Sequence, residues 1–580
     1  MAIPPPTQTD TPSGKSNDER KLLDYCHELW EEGRNSRESF RSPKDIELDR
    51  KTYRGGLRPK GQGTGERVFS LNIVQAFVDR MVAQLTDNRP IMRVEAINAE
   101  MNGMANVVEK YASAVVWEES RAQRQLFRIG HTSAIESAAG AYTSYSNARN
   151  MIHVEMLYQD QISVHRGTRE AAMVDEAESV GVQRNAALSW VRERFPFRGT
   201  SVKADVTADD VKSRHVIDTP LDQMIGRAGT KQPGDTIPMA AVKELYFIDR
   251  ESRIKGKLAF PRYRRVVFTH DVILDDGVNP WFDGIPPVDI YDWAVDPESL
   301  WGMSATSMMR LAQIAFNEIM DGTIQNQITL NMVNLIMDSN SLDSRDMRNM
   351  QKMKNVNILS HRRNAKVQFQ PPPPFGRDQV AIAREIFSYL QAVMGVTDVT
   401  LGESPGSLQS GLAIEGLQES ANLMTRARAS RLEDFISRVG QKIVSRIIQF
   451  VDVETMKEFL GDNAETTQYG IQRAKYFMKD GQPLTLEEKA RAMRLLRFAI
   501  VPGSSAPGSK QARAQAMLGL HLLPNPLVSG QDVLEAADFR NAKETISRAR
   551  SEASLPLLDG ESKGTSPGLL QQTPPIFTGR

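Results

Sequence analysis

The chain has 580 residues, with 72 Lys+Arg against 72 Asp+Glu and one cysteine, Cys26. That length suggests three or four compact modules, and the zero formal net charge argues against a dedicated, free nucleic-acid binder while leaving room for local basic surfaces. A single cysteine excludes an intrachain disulfide and a disulfide-built secreted scaffold.

No run of about 18 apolar residues occurs, so no transmembrane helix and no membrane partner are expected. The opening MAIPPPTQTDTPSGKSNDERK has no apolar h-region and is not a signal peptide, so the protein is expected in the cytoplasm. Residues 1–20, rich in Pro, Ser and Thr, read as disordered. Asp18 to Phe40 is helical, with Leu22, Leu23, Cys26, Leu29 and Trp30 on one side. His27-Glu28 with Glu31 lacks the second histidine of a metal helix and reads as surface. GGLRPKGQGTG at 55–65 ends in Gly-Glu-Arg rather than Gly-Lys-Ser/Thr, so it is a flexible loop and not a phosphate cradle.

Asn72–Leu85 has helical spacing, and Ile91–Ala96 follows as a short strand. Gly103–Ser146 reads as two further helices, Met151–Val164 alternates like a strand, and 168–195 reads as helix. From 201 to about 297, short β-like runs (245–249, 263–269, 272–274) with many Pro and Gly indicate a β-rich module. Thr306–Met337 is expected to be one long helix with few charges. Its amides Gln325, Asn326, Gln327, Asn331 and Asn334 suit a bundle or an oligomer wall. Candidate strands at 355–359 and 366–370 precede the PPPP turn at 371–374, and Asp378–Met394 is a helix able to run back along the first.

The small-residue loop TDVTLGESPGSLQSG then breaks the helix with its glycines and Pro405. A helical period runs on for about 40 residues, well beyond an ordinary globular helix. At 100° per residue, Leu432, Ile436, Val439, Ile443, Ile447 and Val451 share one arc. Arg428, Arg431, Arg438, Lys442 and Arg446 share the next, with Phe435 intruding. That basic stripe is either a solvated charged face or a surface for a polyanion or a neighbouring subunit. After a link at 452–473, helices are expected at 485–499, 511–520 and 531–550, and 556–580 reads as a disordered tail.

No Walker A, HExxH, CxxC or GxSxG motif is present, so neither a catalytic residue nor a cofactor is assigned. Asp209-Asp210 and Asp275-Asp276 read as turn residues rather than metal ligands.

Three stretches carry a family resemblance. NIVQAFVDRMVAQLTDNRPIMRVEA resembles the opening of bacteriophage portal proteins, in which such a helix precedes a P-x-x-x-V strand. GVTDVTLGESPGSLQSGLAIEGLQESANLMTRARASRLEDFI resembles the portal signature of a glycine, a small-residue loop and a long helix. FAIVPGSSAPGSKQARAQAMLGL is similar to the C-terminal part of tailed-phage portals. The resemblance implies an α+β, mainly α fold assembled as a dodecameric ring around a DNA channel at one vertex of the capsid. It implies a wing at 21–300, stem helices at 301–337 and 375–397, and a clip at 338–374. A tunnel loop follows at 398–410, a long tunnel/wing helix with its link at 411–479, and a crown at 480–555. Thr400, Gly402, Glu403, Ser404, Ser407, Gln409 and Ser410 would line the channel. His361, Arg362, Arg363 and Lys366 would contact the terminase and the tail adaptor. The implied partners are copies of the chain itself, double-stranded DNA, the terminase large subunit, the major capsid and scaffolding proteins, and the tail adaptor or head-completion protein. The rival readings are a cytosolic nucleic-acid-processing enzyme that uses the basic helix face, and a membrane-binding scaffold.

Overall fold

A computed structural model describes residues 17–57, 71–86, 92–119, 121–146, 151–205, 238–250, 253–254, 257–258, 262–330, 333–338, 356–361, 368–370, 377–395, 423–479 and 482–500. The chain divides into two units, 1–507 and 508–580, the second lying outside those residues. The described part is α+β, mainly helical.

The N-terminal helix Asn17–Phe40 is amphipathic as its sequence requires. Its inward residues Cys26 and Trp30 pack on Leu245, Phe247, Val266, Phe268 and Ile273. Those side chains belong to a five-stranded antiparallel sheet of order Ile273–Val278, Tyr263–Phe268, Met239–Ile248, Ser179–Ala187 and Ile162–Val164. Arg37 fixes the helix to the sheet edge: its Nη1 donates to the carbonyls of Gln159 (3.1 Å), Asp160 (3.2 Å) and Ile162 (2.7 Å). A second antiparallel sheet, Val288–Asp292, Ala138–Ser146 and Met151–Tyr158, lies beside the long helix Leu423–Phe450.

Several expectations need correction. Residues 168–195 are not one helix. They form a short 3-10 turn (Ala171–Glu176), the strand Ser179–Ala187 and the helix Leu188–Arg194. A strand buried along nearly its whole length shows no alternation to read. Gly103–Ser146, expected as two helices, ends in the strand Ala138–Ser146, so with Met92–Ala96 and Met151–Tyr158 much of the β-structure lies before 201. The first long helix spans Ala305–Leu330. Residues 299–303 are a strand, and Val333–Asp338 is a strand pairing parallel with Val356–His361 and antiparallel with Gln368–Gln370. Alternating apolar residues at 333, 335 and 337 fit a strand as readily as a helix. The two strands foreseen near 355–359 and 366–370 are present.

The helix expected at 485–499 stops at Met493. Thr485 and Glu488 form a reciprocal capping box at its start. Leu496–Ile500 is a strand paired antiparallel with Met92–Ala96, so the module set to begin at 480 shares a sheet with the N-terminal part. Gln441 of the long helix docks that strand: its Oε1 accepts from Phe498 N (2.8 Å) and its Nε2 donates to Leu496 O (3.0 Å). Gly440 makes the approach possible, since a Cβ there would lie 2.2 Å from the Phe498 ring. Gly440→Ala is expected to lose about 1–2 kcal/mol through overpacking, despite alanine's better helix propensity. A shift of the urea midpoint to lower concentration checks this.

Candidate functional site

The element that organises the core is the helix Leu423–Phe450. Leu432, Ile436, Val439, Ile443, Val444, Ile447 and Ile448 are buried in the largest apolar cluster. Phe435, which intrudes on the basic side, is also buried there, its ring 5.5 Å from that of Tyr291.

The basic stripe faces inward, against the segment 281–293, and its rungs match that segment in reverse order. Arg428 Nη1 donates to Met394 O (3.2 Å) and its guanidinium lies over the Trp293 ring. Arg431 pairs with Asp292 (3.4 Å). Arg438 donates to Ala171 O (2.8 Å) and Ile290 O (3.3 Å) and pairs along its own helix with Asp434 (3.2 Å). Lys442, fully buried, donates to Asp175 (2.7 Å), Asp289 (2.8 Å) and Val288 O (2.9 Å). Arg446, also fully buried, pairs with Asp283 (2.6 Å) and stacks on Trp281 at 4.0 Å. The sequence leaves the stripe as a solvated face or as a surface for a polyanion or a neighbouring subunit; in the structure the chain's own carboxylates and carbonyls hold it. Burial alone would lower the Lys442 pKa. Asp175 and Asp289 outweigh it and raise the ammonium above the ordinary lysine value.

The helix Arg377–Met394 packs along Ala305–Leu330, and the two are joined through the three-stranded sheet of 333–338, 356–361 and 368–370. Helix 377–394 has two apolar stripes. Ala383, Leu390 and Met394 turn into the core, while Ile382, Tyr389 and Val393 are exposed. Leu311 on the partner helix is 79 % exposed.

The start of helix 305–330 is fixed by Asp49. This buried carboxylate pairs with Arg41 and Arg310 and accepts from Ser304 Oγ (2.9 Å), which itself caps Ser307 N (2.9 Å). Gln313 completes the joint: its Oε1 accepts from Ile73 N (3.0 Å) and Val74 N (3.2 Å), capping another helix. The side chains of Gln325, Asn326, Gln327, Asn331 and Asn334 lie outside the description.

Asp275 and Asp276 lie on a strand rather than a turn. Asp275 pairs with Arg265 (2.6 Å) and Asp276 with Arg264 (2.6 Å). Arg265 also pairs with Glu244 (2.7 Å), to which Tyr142 OH (2.9 Å) and Tyr246 OH (2.8 Å) donate. Burial would raise the Glu244 pKa, but Arg265 and Arg184 hold it below the usual carboxylate value. Among the described residues no cluster of three or more His, Cys, Asp or Glu is placed to hold a metal, and no helix is long and apolar enough to cross a membrane.

The proposed channel residues Thr400, Gly402, Glu403, Ser404, Ser407, Gln409 and Ser410 lie outside the described residues, as do Arg362, Arg363, Lys366 and Asp209-Asp210. So do the helices expected at 511–520 and 531–550 and both terminal segments expected to be disordered, apart from residues 17–20. His361 ends its strand opposite Asp338 in parallel register. Sequence reasoning missed Asp49, Asp175, Asp283, Asp289, Asp292 and Glu244, which stand in ordinary contexts and gain their roles only through distant partners.

A search of curated proteins finds no match to the chain. A model of the phage P22-like portal protein family matches residues 242–573, more than half of the chain, including the helix pair, the sheet between them and the long helix. The chain belongs to the P22-like phage portal protein family.

Proposed function

We propose that the protein is the repeating subunit of a ring, a dodecamer as the family resemblance implies, through which double-stranded DNA is packaged and ejected at one capsid vertex. The observation that carries this reading is the outward apolar stripe Ile382, Tyr389 and Val393, with Leu311 also exposed on the helix packed against it, on a helix pair inside the family match. A helix already buried on one stripe has no intrachain use for a second. A neighbouring copy in a closed ring covers such a stripe without further partners. Helices 305–330 and 377–394 act as the stem, the sheet between them as the clip, and residues 398–410 as the tunnel loop. A loop of Ser, Gly and one Glu suits loose, sequence-blind contact with sliding DNA, since a channel that gripped phosphates would stall it. His361, Arg362, Arg363 and Lys366 on the clip meet the terminase large subunit and the tail adaptor. Capsid and scaffolding proteins surround the wing. The ring is structural, with hydrolysis supplied by the terminase.

The rival enzyme reading rests on the basic helix face with Asp275-Asp276 or Asp209-Asp210. The basic face and Asp275-Asp276 are paired within the chain, and Asp209-Asp210 lie outside the described residues. Placing charge on the apolar stripe of helix 377–394, Ile382→Glu with Val393→Glu, is expected to abolish ring assembly and leave the monomer folded. Sedimentation velocity and circular dichroism check this. Rings formed undiminished by the double variant would remove the stripe from the interface.

A further inference from the structure

The helix Ala122–Glu136 and the residue before it carry a row of cations that form no ion pair among the described residues. Arg121, Arg124 and Arg128 are exposed and form no ion pair with a described residue. Their spacing puts them on one face of the helix together with His131, along about 10 Å of its axis. The helix gains nothing from them: Arg121 sits at its start with φ 60 and offers no side-chain cap, and cations in a first turn oppose the helix dipole. Beside the row Phe127 is 43 % exposed, with one ring face stacked on His131 at 6.4 Å. A cavity of about 250 Å³ opens between Phe127, Arg128, His131 and Thr132 and Asp79 of the neighbouring helix Ile73–Thr86. Asp79 is already engaged: its Oδ1 accepts from Tyr53 OH (2.7 Å) and lies 3.1 Å from His131 Nε2.

We infer that this face docks an acidic amphipathic helix of a partner protein. Carboxylates three and four residues apart on that helix match Arg121, Arg124 and Arg128, and an apolar side chain enters the cavity beside Phe127. Charge complementarity calls for an anion. Two features favour a polypeptide over a nucleic acid. The half-exposed Asp79 carboxylate on the cavity wall repels a phosphate there but not an apolar side chain, and Phe127 has one face taken by His131, which leaves a poor platform for stacking bases. An apolar side chain needs only the exposed part of that ring. The inference does not depend on the ring reading, because none of these residues lies on helices 305–330 or 377–394.

The test uses the full chain and a fluorescent synthetic helical peptide bearing glutamates at three- and four-residue spacing beside leucines. Anisotropy is read at low ionic strength, with a short DNA duplex as competitor. The wild type is expected to bind the peptide. Arg124→Glu with Arg128→Glu is expected to weaken binding by roughly tenfold or more. Phe127→Ala is expected to weaken it several-fold with the salt dependence unchanged, and Arg169→Glu, at an exposed site elsewhere, to leave it intact. These residues are exposed, so circular dichroism should show every variant folded. The inference is overturned if the wild type ignores the peptide, if the double variant binds as well, or if the duplex displaces the peptide from the same residues. A change in oligomeric state in the double variant would assign the face to a second copy of the chain and equally overturn it.

Discussion

Replacing Lys442 with methionine is expected to lower stability by about 3 kcal/mol, because it takes from the fully buried Asp289 carboxylate the ammonium 2.8 Å away and leaves only Arg438, at 3.9 Å. A lysine that faced DNA or a neighbouring subunit would give a different result: normal monomer stability with impaired packaging or assembly. The double variant Lys442→Met with Asp289→Asn should recover much of the loss, since it removes both buried charges together. Urea denaturation of the two variants measures both effects. The pH dependence has a definite sign. The folded-state pKa of Lys442 is raised, so its contribution is complete below the unfolded lysine value, about 10.4. It declines as pH rises through the higher folded value. The wild type's advantage over Lys442→Met should therefore persist at neutral pH, shrink in strong alkali, and shrink in acid as well, where the Asp289 carboxyl, its pKa raised by burial, takes up a proton and no charge is left stranded.

Asp49→Ala is expected to cost about 3 kcal/mol or more, since Arg41 and Arg310, both largely buried, would lose their shared carboxylate. Ser304, the cap of helix 305–330, loses its acceptor as well. The damage should be local as well as global. Hydrogen exchange of amides 305–312 should quicken more than that of the sheet around Glu244. If Asp49 is the joint between helix Pro43–Tyr53 and helix 305–330, the variant should also assemble poorly, because the hairpin's outward stripe is aimed by that joint. Uniform loss of protection across the chain would show that Asp49 contributes stability without aiming the hairpin.

The parts of the fold that could be read from the sequence are those set by local periodicity. The angular separation of Leu432, Ile436 and Val439 from Arg438 and Lys442 is a property of the helix itself, and it is reproduced in the structure. What lies opposite each face is not a local property. The partners of the stripe, Asp175, Asp283, Asp289 and Asp292, stand more than 130 residues earlier and look like ordinary turn or strand-end acids. A charged arc therefore reads as solvated or as DNA-facing until the strand Val288–Asp292 is placed against it. Ser179–Ala187, a strand, reads from the sequence as part of a helix for a related reason. Arg184 and Asn185 break its apolar pattern, yet both are buried, Arg184 being satisfied by Glu155 and Glu244. Asp275-Asp276 reads as a turn from sequence because adjacent acids are common in turns in a chain of this size. Arg264 and Arg265 on the next strand explain why they sit in a sheet. The hairpin, its small sheet and the family were legible because the order of helix, strands, proline turn, helix and small-residue loop survives in the sequence whatever each segment touches.

Images of the purified wild-type protein in negative stain, taken across a range of salt concentrations, test the portal-ring account most directly. Closed rings with an axial channel wide enough for duplex DNA are the predicted result, with Ile382, Tyr389 and Val393 at the contact between neighbouring subunits. A preparation that remains folded and monomeric at every salt concentration would contradict it.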